Sequence, residues 1–135
     1  MSDCIFCAIA AGEMPAEIVH ADERTVAFLD IFPAARGHVL VIPRAHADDI
    51  HGADPADVAT CAQTAQLMAG RVSRALGADG VTITQANGRA AGQTVVHYHV
   101  HVIPRMDGDG ILRSWQPGET SPEELTRMGA LLRGE

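Results

Sequence analysis

The chain has 135 residues, 47% of them hydrophobic, and a formal net charge of -7. That length suits one ordinary domain able to bury a core without staples, expected over residues 1–135 with a core at 1–115 and a tail at 116–135. All ten basic residues are Arg, which excludes Lys Schiff-base chemistry and a Lys-containing phosphate loop. The acidic balance argues against a protein that holds a nucleic-acid backbone, whereas single nucleotides remain candidate partners. The start, Met1-Ser2-Asp3-Cys4, lacks a basic stretch followed by an apolar one, and no segment is apolar for long enough to span a bilayer. The expectation is a cytoplasmic protein with no membrane partner.

In chain order, a short helix is expected over Cys4 to Ala10, then strands at Glu17 to Ala21, Thr25 to Asp30 and His38 to Ile42, bounded by Gly, Pro or charged turn residues. Asp54-Pro55 supplies a cap and a first-turn proline for a long helix. Its apolar stripe runs through Val58, Cys61, Ala65, Met68, Val72 and Leu76 to a stop at Gly77. Cys61 on that stripe reads as a buried, inert thiol. Strands follow at Val81 to Gln85 and Val95 to Ile103, separated by a glycine-containing loop over Ala86 to Gln93 that can offer backbone amides. Asp107-Gly108-Asp109-Gly110 reads as a turn. Ser121-Pro122-Glu123-Glu124 is a capping box opening a C-terminal helix with Leu125, Met128 and Leu132 on one side. Short connections between the first three strands favour antiparallel hairpins, so the expected class is α+β: a five-stranded antiparallel sheet with a long helix and a C-terminal helix.

His97-Tyr98-His99-Val100-His101 carries the chemistry. On a strand, alternate residues share a face, which puts three imidazoles on one side and Val96, Tyr98, Val100 and Val102 on the other. Imidazole titrates near pH 6.5, so most such groups are neutral at pH 7 and can act as nucleophile, base or metal ligand. His97 and His101 start about 13 Å apart along a strand, yet ligands of one zinc lie within about 4 Å of each other, so the three cannot share one ion. Two neighbours could. A nucleophile reading uses the row better, with a central imidazole attacking phosphorus while its neighbours orient it or bind oxygens. Cys4-Ile5-Phe6-Cys7 has the spacing of a zinc knuckle; two reduced thiols remain the alternative, and the βαβ context of a redox pair is absent. His20 and His51 fit no motif and are expected to be solvated.

The pattern from His97 to Ile103, His-x-His-x-His and two apolar residues, resembles the signature of the histidine triad (HIT) superfamily. Phe28-Leu29-Asp30-Ile31, the segment Gly37 to His46, Asn87-Gly88 and Gly92-Gln93-Thr94 follow in the order of its nucleotide-binding strands and phosphate loop. The resemblance spans Cys4 to about Trp115 and points to the bacterial Hint-like branch. It implies a hydrolase of nucleoside phosphoramidates or related nucleotidyl conjugates, acting on a purine nucleotide. His99 would be the nucleophile, forming a nucleotidyl-histidine that water resolves. Asp30 would hold the ribose hydroxyls, a natural fit for a carboxylate. His38 and His101 would stand near the phosphate and leaving group, and Asn87, Gln93 and Thr94 would contact phosphate. Arg44 stands where a Lys is common. The resemblance also implies a structural zinc on Cys4, Cys7, His46 and His97, and a homodimer. Two other readings remain: a regulatory nucleotide-binding module with little turnover, and a zinc-dependent hydrolase using two triad histidines as ligands. Dinucleoside polyphosphate hydrolysis is a variant of the first reading. Trp115 could touch substrate, touch a second subunit or pack internally.

Overall fold

The structure, a computed structural model, describes residues 3–112 and 115–135. The elements are α1 (Ile5–Ala10), β1 (Ile18–Ala21), β2 (Thr25–Leu29), β3 (Val39–Pro43), α2 (Pro55–Leu76), β4 (Gly80–Thr84), β5 (Val100–Arg105) and α3 (Pro122–Leu132), with a 3-10 turn at Arg89–Ala91. The strands form one antiparallel sheet in the order β1-β2-β3-β5-β4. Helix α2 carries the chain to the far edge, where β4 lies, and β5 returns between β4 and β3. That insertion places β5 centrally, with a neighbour on each side. The α+β sheet expected from the sequence is the one found.

Strand alternation sorts the core into two layers. Ala27, Val39, Val41, Val100 and Val102 face α2 and pack on its Cys61, Ala65, Met68 and Val72. Val26, Phe28, Leu40 and Ile42 point the other way and meet Phe6 and Ile9 of α1. His101 pairs across the sheet with Leu40, which puts it on the α1 side. The histidine face is therefore partly roofed by α1.

Helix α2 starts where the Asp54 side chain accepts the Ala56 N–H at 2.8 Å, and stops at Gly77, whose φ of +62° suits glycine. Cys61 is fully buried, and burial, with Asp57 and Asp22 adding to it, pushes its thiol up to about 12. It stays protonated and inert at neutral pH, as expected. Gly37, at φ +86°, lies against Leu76, where a Cβ would collide. The positive φ, which L side chains rarely adopt, is what the turn into β3 requires of this glycine.

Two expectations are corrected. Strand β5 starts at Val100, not Val95, because the chain bends: the His97 N–H bonds the Val95 carbonyl at 3.0 Å, and the Tyr98 N–H bonds the Ala47 carbonyl at 2.7 Å. Val96, expected on the core face, is 58% exposed, while Tyr98, Val100 and Val102 are buried. Helix α3 forms on its capping serine, with the Glu124 N–H reaching Ser121 Oγ at 3.1 Å, but it has no buried residue. Trp115 is 86% exposed, which removes the internal-packing alternative. The Asp107-to-Gly110 turn is braced by Asp109, which accepts from Arg105 and from the N–H groups of Met106 and Ile111. Among the described residues, no helix is long and apolar enough to cross a membrane.

Candidate active site and a four-residue ligand cluster

The bend before β5 separates the three histidines. His97 turns out of the row toward the N-terminus, while His99 and His101 stay on the α1 face with ring centroids 5.0 Å apart. His97 Nδ1 lies 3.3 Å from Cys4 Sγ, 3.5 Å from Cys7 Sγ and 3.2 Å from His46 Nδ1; Cys7 Sγ is 3.3 Å from His46 Nδ1. These four atoms all fall within 4.8 Å of one another, the mutual spacing of ligands around one tetrahedral ion. The outer shell fits too. His97 Nε2–H donates to the Pro43 carbonyl at 2.9 Å, and His46 Nε2 meets the Asp48 carboxylate at 2.8 Å. Each ring thereby turns a bare Nδ1 into the cluster, the arrangement that orients metal-binding histidines. Burial raises the Cys4 thiol, but hydrogen bonds from the Cys7 amide and thiol, His46 and the Phe6 amide outweigh it and favour the thiolate. The Asp48 hydrogen bond raises His46 above its ordinary value, whereas burial lowers His97.

His99 is almost wholly buried, and its Nδ1–H donates to the His97 carbonyl at 2.6 Å. A carbonyl can only accept, so the proton sits on Nδ1 and the Nε2 lone pair is left bare. Phe6 meets the His99 ring edge-on at 5.2 Å and also touches His97 and Phe28. His99 and His101 line a cavity of about 330 Å³ with Asp30 and Thr94; its apolar wall comes from Ile5, Phe6, Ile9, Met14, Phe28 and Leu40. Ile31 and Phe32, 79% and 86% exposed, line it too. An apolar slot with a few convergent polar groups suits a flat aromatic ring joined to a polar tail.

His38 and His101 form a second constellation. The Ala34 N–H donates to His38 Nδ1 at 3.0 Å, and His38 Nε2 lies 2.8 Å from His101 Nδ1. Asp30 Oδ2 lies 3.7 Å from His38 Nε2, and Asp30 Oδ1 accepts the Phe32 N–H at 2.8 Å. Burial lowers His38 against the opposing pull of Asp30. Burial, then the neighbouring His99 and His38, pushes His101 down to about 4.

Other residues singled out by sequence take structural positions. Asn87 exchanges two hydrogen bonds with Gln85, at 2.6 and 2.7 Å, and its Oδ1 accepts the Ile50 N–H. Gln93 accepts the Gly88 N–H at 2.7 Å and donates to the carbonyls of Asp48 and Val95. Both amides thus brace the loop that approaches the cavity. Arg44 donates to the carbonyls of Ala10 and Asp22, tying the end of α1 to the β1–β2 turn. His51 is exposed as expected; His20 is half-buried and reaches Asp22 at 3.2 Å, so it is not simply solvated. The roof residue Phe6, the Ala34 amide and the Asp48 carboxylate were not assigned from sequence. Phe6 lies between the two cysteines and Asp48 stands two residues after His46, which are the signals that point to them.

Fold and site together define a small α+β domain that presents paired histidines beside an apolar slot, with a Cys-Cys-His-His cluster behind them. The HIT domain family model matches residues 11–108, and the chain belongs to that family. It is 37% identical over 127 residues, 93% of this chain and 92% of the other, to an adenosine 5'-monophosphoramidase of Schizosaccharomyces pombe. It superposes on a HIT family protein from Bacillus anthracis with a TM-score of 0.92 at 30% identity, covering 98% of this chain and 96% of that one. A zinc-bound histidine triad family protein from Mycobacterium smegmatis superposes with a TM-score of 0.79 at 39% identity, covering 98% of each.

Proposed function

We propose that this protein is a nucleotidyl hydrolase that cleaves nucleoside phosphoramidates or related nucleotidyl conjugates at the α-phosphorus. The observation that carries the reading is the 2.6 Å hydrogen bond from His99 Nδ1 to the His97 carbonyl, which leaves Nε2 bare on a residue lining the cavity. The purine occupies the apolar slot and Asp30 accepts from the ribose hydroxyls, which sets the α-phosphorus at His99, within reach of His101 and Thr94. Asn87 and Gln93 contact the phosphate from the loop that their amides also brace. The Nε2 lone pair attacks phosphorus, the P–N or P–O bond breaks with its electron pair going to the leaving group, a departing nitrogen takes up a proton from solvent, and a nucleotidyl-histidine forms. The ring is then cationic, and its Nδ1–H bond to the His97 carbonyl becomes charge-assisted. Water attacks the same phosphorus, the P–N bond to His99 returns its electron pair to Nε2, and a nucleoside monophosphate leaves. The similarity to an adenosine 5'-monophosphoramidase supports this substrate class.

Cys4, Cys7, His46 and His97 fit a structural Zn2+, one per chain, because two thiols and two bare Nδ1 atoms converge and the outer nitrogens are engaged. Four protein ligands fill the shell, so the ion would supply a cross-link between α1, the segment after β3 and the bend before β5, with no part in the reaction. A homodimer is proposed through the open edge of β4, where Ile83 is half exposed, and α2 beside it. Residues 1–135 are taken as one domain acting in the cytoplasm. The test is AMP release from adenosine 5'-phosphoramidate by the wild type and by His99→Ala, with a brief chelator control. Release by the wild type alone, unaffected by the chelator, supports the reading; equal release by both contradicts it.

A further inference from the structure

After β3 the chain runs from His46, a member of the ligand cluster, to Ile50, and this short segment is tied at three points to the stretch that leads from the glycine loop into β5. The Tyr98 N–H bonds the Ala47 carbonyl at 2.7 Å, the Gln93 side-chain amide donates to the Asp48 carbonyl at 2.6 Å, and the Ile50 N–H bonds Asn87 Oδ1 at 2.8 Å. Asp48 is the middle tie, and it also reaches the cluster. Its carboxylate accepts the His46 Nε2–H at 2.8 Å while its carbonyl holds Gln93. Gln93 in turn accepts the Gly88 N–H at 2.7 Å and donates to the Val95 carbonyl at 3.0 Å, which closes the loop on itself. Thr94, inside that closed stretch, lines the cavity. The Asp48 side chain is 72% exposed, and an exposed ion pair between free side chains contributes little. Here both ends are anchored. His46 Nδ1 faces Cys7 Sγ at 3.3 Å and His97 Nδ1 at 3.2 Å, so a cation bound at Nδ1 would polarise the ring and strengthen the Nε2–H bond to the carboxylate.

We propose that Asp48 is a positioning residue that couples the ligand cluster to the phosphate loop, so that a filled cluster tightens the binding of a nucleotide phosphate and a bound phosphate tightens the binding of the ion. This rests on the zinc and nucleotide readings above, and the ion stays outside the reacting atoms. The carboxylate sets where the Asp48 backbone lies relative to His46, and the carbonyl of the same residue sets Gln93. Ordering the loop before the nucleotide arrives removes part of the entropy loss that binding must otherwise overcome. The coupling is reciprocal, because the free energy that links two binding events is the same seen from either site. It is also selective within the ligand. The loop carries the phosphate contacts, whereas the base lies in a slot walled by Phe6 and Ile9 of α1, Phe28 of β2 and Leu40 of β3. Coupling through Asp48 therefore reaches a nucleotide and passes over the bare nucleoside.

The experiment measures binding of AMP and of adenosine by titration calorimetry in zinc-loaded wild type, Asp48→Ala and Asp48→Asn. Asn keeps an Oδ1 that accepts the His46 Nε2–H, so it restores the hydrogen bond without the charge. The expected result is AMP binding weakened about fivefold or more in Asp48→Ala, the size of an ordinary coupling between sites, with adenosine binding little changed. Asp48→Asn should recover most of the AMP affinity. Competition with a zinc chelator gives the reciprocal reading and needs no variant: AMP should raise the zinc affinity of the wild type by more than adenosine does at equal saturation. That difference should vanish in Asp48→Ala, whose own zinc affinity should fall roughly ten- to a hundredfold with the loss of the outer partner of His46. A role confined to folding would move AMP and adenosine together. Equal losses for the two ligands, or AMP binding unchanged in Asp48→Ala, overturns the proposal and leaves both readings beneath it standing. A wild type that binds no zinc, or no AMP, overturns the zinc or the nucleotide reading and the proposal with it.

Discussion

The carbonyl of His97 takes the Nδ1–H of His99 at 2.6 Å, while the imidazole of the same His97 points its Nδ1 into the Cys4, Cys7 and His46 cluster. One residue thus belongs to two constellations, its side chain to the ligand cluster and its main chain to the candidate nucleophile. The bend that sends His97 out of the sheet is what permits this. Had β5 run straight from Val95, His97 and His99 would lie side by side on the sheet and the cysteines would face a single ligand fewer.

The cluster is expected to bind about one zinc per chain in protein purified without added metal. Cys7→Ala should lower the occupancy severalfold and the thermal midpoint by several degrees, because the ion cross-links segments distant in sequence. Elemental analysis with thermal unfolding checks this. Full stability without metal would reduce Cys4 and Cys7 to ordinary thiols.

Asp30 should act through the sugar. In Asp30→Asn, KM for a ribonucleotide substrate is expected to rise roughly tenfold or more, the effect of weakening a charge-assisted hydrogen bond. A 2'-deoxy substrate should lose much less on the same change. Equal losses for the two sugars, measured by steady-state kinetics, would mean that Asp30 serves only the turn it makes with the Phe32 amide.

Phe6 roofs His99 and joins the core layer formed by Val26, Phe28, Leu40 and Ile42. Phe6→Ala should destabilise the fold by about 3 kcal/mol or more, the usual cost of deleting a buried aromatic ring. It should also raise KM, because the same ring walls the cavity. Urea unfolding and kinetics on one preparation separate the two effects.

Stability should fall as pH drops from about 6.5 toward about 4. His101 is depressed in the folded state, so above its unfolded value both states are neutral and the group contributes nothing. Below that value the unfolded chain takes up the proton first, which favours unfolding until the folded pKa is passed. Each unit of depression corresponds to about 1.4 kcal/mol at most. His38 acts in the same direction and His46, which is raised, in the opposite one. The clean comparison is therefore the urea midpoint of wild type against His101→Asn at pH 7 and pH 5. The variant should lose less between the two.

Periodicity and capping made most of the framework legible. Asp54-Pro55 and Gly77 mark the ends of α2, and the alternation through β2, β3 and β5 sorts the core onto two faces as a period of two requires. Alternation alone could not reveal the bend at 95–98, because besides the local Val95 carbonyl it is held by the Ala47 carbonyl, a partner 51 residues before Tyr98. For the same reason Val96 is misassigned to the core. Asn87 and Gln93 show a different limit: the sequence marks them as polar residues beside glycines, and the partners that brace their loop, Gln85 and Asp48, are ones that no local pattern connects to them. The exposed stripe of α3 reads from sequence like any helix face, since periodicity reports that a face is apolar and not what lies against it.

The most direct test of the central claim is mass spectrometry of wild type and His99→Ala quenched during turnover of adenosine 5'-phosphoramidate, with AMP release followed in parallel. The account predicts an added nucleotidyl mass on the peptide carrying His99 in the wild type alone, with turnover lost and nucleotide binding kept in the variant. Undiminished AMP release by His99→Ala would contradict it.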